Sequence, residues 1–226
     1  MDRDTPTSRR CLLAIDSSTE QAGVALFDGV HRAELSWDAG RTQTTALLGQ
    51  IHHLLDLLGR TVTDLGAVAV ATGPGTFNGL RVGVSVAKGL ALGLDLPLIG
   101  VPTLQAAALP FAVAARPVVP VVAAGRGRLV WAMSEGGPDG WMERSPPRNG
   151  TIEELAGWLV GVDRPVVVGE LDAEQETRIG LVAGVTIPPL TLRGRRPGGV
   201  ADLAWRRWQA GDTDDATDLE PVYLGR

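Results

Sequence analysis

The chain begins with short apolar runs broken by turn residues. Cys11 to Ile15 is apolar, Asp16, Ser17, Ser18 and Thr19 follow, and Gly23 to Phe27 alternates into Asp28-Gly29. The pattern predicts two strands joined by a polar turn, with a third near Ala33 to Ser36, as an antiparallel meander. From Thr42 to Leu58 the period lengthens: Leu47, Leu48, Ile51, Leu54, Leu55 and Leu58 fall on one side of a helix that Gly59 stops. Thr61 to Leu65 is a link, and Ala67 to Ala71 reads as a buried strand of small residues. The glycine-rich Gly73-Pro-Gly-Thr-Phe-Asn-Gly79 then opens a helix to about Leu94, and Leu98 to Val101 forms a strand behind Pro97. The order is βββαβαβ, a three-strand hairpin sheet extended by parallel crossovers.

The remainder repeats this order more faintly. Pro117 to Ala124, Leu129 to Ser134, Trp141 to Arg144, Val166 to Gly169 and Val185 to Ile187 read as strands. Ile152 to Val160, Glu174 to Ala183 and Val200 to Gln209 read as helices. Arg193 to Gly199 holds three arginines among four Gly or Pro residues and reads as a loop. The expected organisation is a disordered tail over 1–10, a first lobe over 11–103 and a second over 104–226, whose C-terminal helix returns to the first lobe. The connection falls within Pro102 to Ala115.

Composition narrows the function classes. At roughly 150 residues per domain, 226 residues make one large domain or two small lobes. A net charge of −5 argues against a protein that grips nucleic acid by itself, because such binding neutralises phosphates with Lys and Arg. Lys88 is the only lysine, and the arginines are scattered along the chain rather than massed. The single cysteine, Cys11, excludes an internal disulfide and fits a reducing compartment. The polar start and the absence of a long apolar run predict a soluble, cytoplasmic protein with no membrane association.

Two segments are candidates for chemistry. Gly73 and Gly75 precede a helix, where glycines let a backbone approach a ligand and free amides attract anions. The spacing is G-x-G-x-x-x-G rather than the dinucleotide fingerprint, Pro74 removes a donor, and no acidic residue ends the next strand, so a nicotinamide-dependent oxidoreductase is disfavoured. Asp16, Ser17, Ser18 and Thr19 occupy the turn where actin-like ATPases and sugar kinases surround nucleotide phosphates. The structural reading, a tight turn with close helix packing for the glycines and an ordinary polar turn for Asp16 to Thr19, comes first, with weak anion sites as the alternative. His52 and His53 are adjacent and cannot form an i, i+4 metal pair, His31 stands apart, and Cys11 begins a strand with no partner to activate it. No catalytic or metal-ligating set is expected.

The helix after Gly79 carries only Arg81 and Lys88 as charged residues up to Leu94, so it needs cover on nearly every side. Gly79, Gly83, Ala87 and Ala91 recur at four-residue spacing and predict a ridge for a close helix neighbour. That neighbour is either the helix of Leu48, Ile51 and Leu55 or a partner protein.

Taken together, LLAIDSSTEQAGVALFDG at Leu12, ATGPGTFNGLRVGVSVAKGLALGLDLPLIGVPTL at Ala71 and EPVYL at Glu220 resemble the TsaB (YeaZ) family. The resemblance implies an α/β fold of the ASKHA (actin, sugar kinase, Hsp70) type with two βββαβα-type lobes. It implies a non-catalytic scaffold in formation of N6-threonylcarbamoyladenosine at position 37 of tRNAs reading codons that begin with A. The implied partners are a second copy when alone, a TsaD-like transferase subunit and a TsaE-like ATPase, with tRNA reached indirectly through the complex. ATP or ADP is implied at the complex interface rather than in this subunit, and the expected partner interface is Leu48, Ile51, Leu55, Gly79, Gly83 and Ala87. Thr103 and Ala107 stand where the catalytic sister family has two ligating histidines, and neither holds a metal. The family's Asp-Ala-Arg is replaced by Ala123, Ala124 and Gly125, with Arg126 one place on. A rival reading is a stand-alone ASKHA-type kinase or hydrolase that binds ATP. Arg193 to Arg196 reads as a solvated loop, with proximity to tRNA phosphates as the alternative.

Overall fold

The computed structural model describes residues 10–40, 43–137 and 140–224. Strands β1 (Cys11–Asp16), β2 (Gln21–Phe27) and β3 (Arg32–Asp38) form the antiparallel meander. Helix α1 (Gln43–Leu57) leads to β4 (Leu65–Gly73), and α2 (Phe77–Leu94) leads to β5 (Leu98–Pro102). Both β4 and β5 add in parallel, giving the sheet order β3-β2-β1-β4-β5. Thr42, at the start of the expected first helix, lies outside the described residues.

β1 and β4 are buried along their whole length, and their alternation divides the work between two faces. Leu13, Ile15, Val68 and Val70 face α1 and α2, where Leu47, Ile51, Leu54, Leu55 and Val84 complete a core of large side chains. Leu12, Ala14, Ala67, Ala69 and Ala71 face the other way. That alanine-rich face lets a helix approach closely, and α7 (Pro197–Gln209) occupies it with Val200, Ala201 and Ala204. Proline at the first turn of α7 supplies a helical φ without an orphan N–H, so the helix starts inside the segment expected to be a loop.

The ridge of Gly79, Gly83, Ala87 and Ala91 is turned inward, into the core that α2 shares with its own sheet and with α1. A Cβ on Gly83 would collide with the Ser17 hydroxyl and touch Val70, so glycine is required for α2 to lie this low on β1 and β4. Ile51, Leu55, Gly79, Gly83 and Ala87 are therefore core residues of the first lobe, which corrects their assignment to a partner surface. Of the six, Leu48 is the one on the surface, 55% exposed.

After α3 (Thr103–Ala108), the second sheet comprises β6 (Val118–Gly125), β7 (Arg128–Trp131), β8 (Ser134–Gly137), β9 (Gly140–Glu143), β10 (Arg148–Gly150) and β11 (Val166–Gly169). Its order is β10-β7-β6-β8-β9, with β11 parallel to β6. Helices α4 (Ile152–Leu159) and α5 (Ala173–Gly180) cover one face through Leu155, Leu159 and Ile179, and α3 covers the other through Leu104 and Ala108. The strand expected at Val185 to Ile187 is reduced to one parallel bridge between Val166 and Thr186. A short helix, α6 (Leu190–Arg193), precedes α7. The C-terminal segment then returns along the first sheet: Asp214 N–H donates to the Leu98 carbonyl at 2.8 Å and Val222 N–H to the Thr72 carbonyl at 2.7 Å.

Candidate functional site

The turn after β1 is buried throughout, which is unusual for four polar residues and requires that each find partners. Ser17 Oγ donates to the Gly79 carbonyl in the first turn of α2 at 2.8 Å. Ser18 Oγ donates to Asp16 Oδ1 at 2.6 Å and lies 3.0 Å from Thr103 Oγ1, which in turn accepts from Gly73 N–H at 3.1 Å. The Ser18 carbonyl accepts from Thr76 N–H at 2.7 Å and lies over Gly75 so closely that any Cβ there would meet it. The structure thus brings all six sequence candidates, Asp16, Ser17, Ser18, Thr19, Gly73 and Gly75, to one place, and joins the two turns to each other.

The residue that organises this place is Arg195, between α6 and α7. Its Nη1 donates to both oxygens of Asp16, at 2.6 Å to Oδ1. Nη2 donates to Thr19 Oγ1 at 2.6 Å and to the Gln21 carbonyl at 2.7 Å, and Nε donates to Glu170 Oε1 at 2.8 Å. All three nitrogens of the guanidinium are thus engaged by acceptors of the protein itself. Burial works against the charge, but the carboxylates of Asp16 and Glu170 outweigh it and raise the pKa of Arg195. Arg193 is also buried and donates to Glu176 Oε2 at 2.6 Å. Neither arginine belongs to a solvated loop: Arg195 neutralises Asp16, which the fold has taken out of water, while Arg193 is itself buried and reaches the exposed Glu176 from within; only Arg196 of this segment is exposed.

An open cleft lies between the lobes beside this network, lined by Gly75, Phe77, Arg81, Arg126, Arg128 and Tyr223. Phe77 and Tyr223 pack at 5.2 Å between ring centroids, and Arg81 lies 5.1 Å from the Phe77 centroid. Arg128 is held by the side chain and backbone of Asn149, both at 2.8 Å. The Ala123-Ala124-Gly125 segment ends β6, with a register shift against β7, and places Arg126 at the turn with a φ of 55°. His52 pairs with Asp56 at 3.3 Å on the exposed side of α1, and His31 with Asp28 at 3.2 Å. Burial pushes the Cys11 thiol up from its ordinary pKa, the opposite of activation. Thr103 is used as a hydrogen-bonding hinge to Gly73, and Ala107 is buried in α3. Among the described residues no helix is long and apolar enough to cross a membrane.

The family model for TsaD, described as tRNA N6-adenosine threonylcarbamoyltransferase, matches residues 37–138. The tRNA threonylcarbamoyladenosine biosynthesis protein TsaB of Bacillus subtilis is 31% identical over 220 residues, covering 94% of this chain and 93% of that protein. The chain belongs to the TsaB family. TsaB of Escherichia coli is 43% identical over 95 residues, a match spanning 42% of this chain and 41% of that relative. The solved structure of YeaZ from Pseudomonas aeruginosa superposes with a TM-score of 0.76 at 25% identity, covering 95% of this chain and 99% of that one. With the β3-β2-β1-β4-β5 sheet, this places the TsaB chain in the ASKHA fold class. The network around Arg195 was not legible in advance, although one signal pointed to it. An aspartate at the end of an apolar strand calls for a counter-charge, but the arginines are spread along the whole chain and nothing in the sequence singles out Arg195 as its partner.

Proposed function

We propose that this protein is the non-catalytic scaffold subunit of a cytoplasmic assembly that forms the threonylcarbamoyl group on N6 of adenosine 37 in tRNAs reading codons that begin with A. It does so by pairing with a TsaD-type transferase subunit, with a TsaE-type ATPase joining the pair, and it forms a homodimer when alone. The observation that carries this reading is the match to a TsaB protein along nearly the whole chain. The internal use of the Asp16 carboxylate and of the Ser17, Ser18 and Thr103 hydroxyls supports a structural role for the β1 turn.

The residues of this turn do not fit a nucleotide phosphate. Every nitrogen of Arg195 is already engaged within the protein, and the Ser18 backbone closes over Gly75 where a phosphate would need the amides. An ATP or ADP held by the assembly accordingly belongs at a subunit interface. The pairing surface is the outward side of α2, where Phe77, Arg81, Ser85 and Leu92 recur on one exposed stripe, together with Leu48 of α1.

Affinity capture from native extract tests the proposal: the transferase subunit and the small ATPase should be recovered with the protein, and depletion of the chain should remove the modification from those tRNAs. Retention of the modification in depleted cells, or tight ATP binding with turnover by the isolated chain, overturns it in favour of a stand-alone kinase or hydrolase.

A further inference from the structure

We infer that Arg195 is a built-in counter-ion buried between the two lobes, which holds them at one fixed angle and takes the place of any external ion or phosphate at Asp16. The groups it joins come from three parts of the chain. Asp16, Thr19 and Gln21 end β1 and begin β2 in the first sheet, Glu170 follows β11 in the second, and Arg195 lies on the connection that brings α7 back to the first sheet. Thr19 Oγ1 closes the circuit by donating to Glu170 Oε1 at 2.9 Å while accepting from Arg195.

The energetics make this a lock. The side chain of Arg195 is 3% exposed and that of its second-lobe partner Glu170 21%, so rotation of one lobe against the other must strip the buried guanidinium of one of its two carboxylates before water can replace it. Removing one member of a buried ion pair costs several times what a surface pair is worth, because the remaining charge is left uncompensated. Asp16 is engaged at both oxygens, since Oδ1 accepts from Ser18 N–H at 3.0 Å, from Ser18 Oγ and from Arg195, and Oδ2 accepts from Arg195. A carboxylate neutralised in this way has no need of an added cation. The chain is a rigid block where other arrangements of the same elements could hinge around a ligand.

Pulsed electron–electron resonance on the full chain tests this, with spin labels at Leu57→Cys on the first lobe and Val160→Cys on the second; both positions are exposed and Cys11 is buried. The labelled protein should give one narrow distance that magnesium-ATP does not change. Arg195→Gly should lose the single distance, and millimolar guanidinium should restore it by refilling the vacated position. Glu170→Ala removes only the second-lobe partner, at a side chain 21% exposed, and gives a readable outcome even if Arg195→Gly does not fold. It too should broaden the distribution. An unchanged narrow distance in Glu170→Ala, or a shift on adding magnesium-ATP to the unmutated chain, overturns the inference.

Discussion

The Ser17 hydroxyl occupies the space that a Cβ on Gly83 would need. Its hydrogen bond to the Gly79 carbonyl ties the β1 turn to the first turn of α2, so one hydroxyl sets the height of an 18-residue helix above its sheet. Gly83→Ala gains about 1 kcal/mol of helix propensity but forces the hydroxyl aside, at an overpacking cost of about 1–3 kcal/mol. The expected result in urea denaturation is net destabilisation, with Ser17→Ala in the same chain recovering part of it. A Gly83→Ala protein more stable than its parent would refute the packing argument.

Leu92 and Gly83 separate pairing from folding. Leu92 is 62% exposed, so Leu92→Glu should leave the denaturation midpoint nearly unchanged, within about 0.5 kcal/mol, while reducing co-elution with the transferase subunit. Gly83→Glu should instead yield unfolded protein, because the side chain would enter the core. Normal co-elution of Leu92→Glu would exclude the outward side of α2 as the pairing surface.

Asp28 gives the stability a defined acid limb. Partial burial raises its pKa, but the His31 and Val30 amides, donating at 2.7 and 3.0 Å, outweigh it and hold the carboxyl down at about 2 against an ordinary 3.8. A pKa lowered by folding stabilises the protein above the unfolded value and stops doing so as pH falls through the folded one. Asp28→Ala should therefore cost up to about 2 kcal/mol at neutral pH. Chemical denaturation repeated between pH 5 and pH 2, roughly the window set by those two values, should show that difference shrinking. A pH-independent difference would assign the loss to packing.

Thr151 caps α4 reciprocally: Glu154 N–H donates to Thr151 Oγ1 at 3.3 Å, and Thr151 N–H to Glu154 Oε2 at 2.7 Å. Thr151→Ala should cost about 1 kcal/mol in denaturant melts, and Thr151→Ser should retain most of it. Equal losses for both substitutions would point to the methyl group rather than the cap.

What could be read from sequence follows the range of the interaction. The meander, α1, α2, β4, β5 and β11 are set by local periodicity and turn chemistry, and lie within a few residues of their expected spans. The direction of the Gly79 to Ala91 ridge was not legible, because a small-residue stripe fits a sheet as well as a helix and only the alanine and valine pattern of β4 decides between them. The segment from Arg193 to Gly199 shows the deeper limit. Gly and Pro mark a loop locally, yet Pro197 starts a helix and Arg195 pairs with Asp16 across 179 positions, a relation no window contains.

α7 is the last helix among the described residues, and it completes the face of a sheet formed by the first five strands. During synthesis β1 to β5 therefore emerge with Leu12 and the alanines of β1 and β4 bare to water, and stay so until Val200, Ala201 and Ala204 arrive. The lobe made first is thus the lobe finished last. A premature stop between β11 and Pro197 would damage most the part of the chain that had already been translated intact.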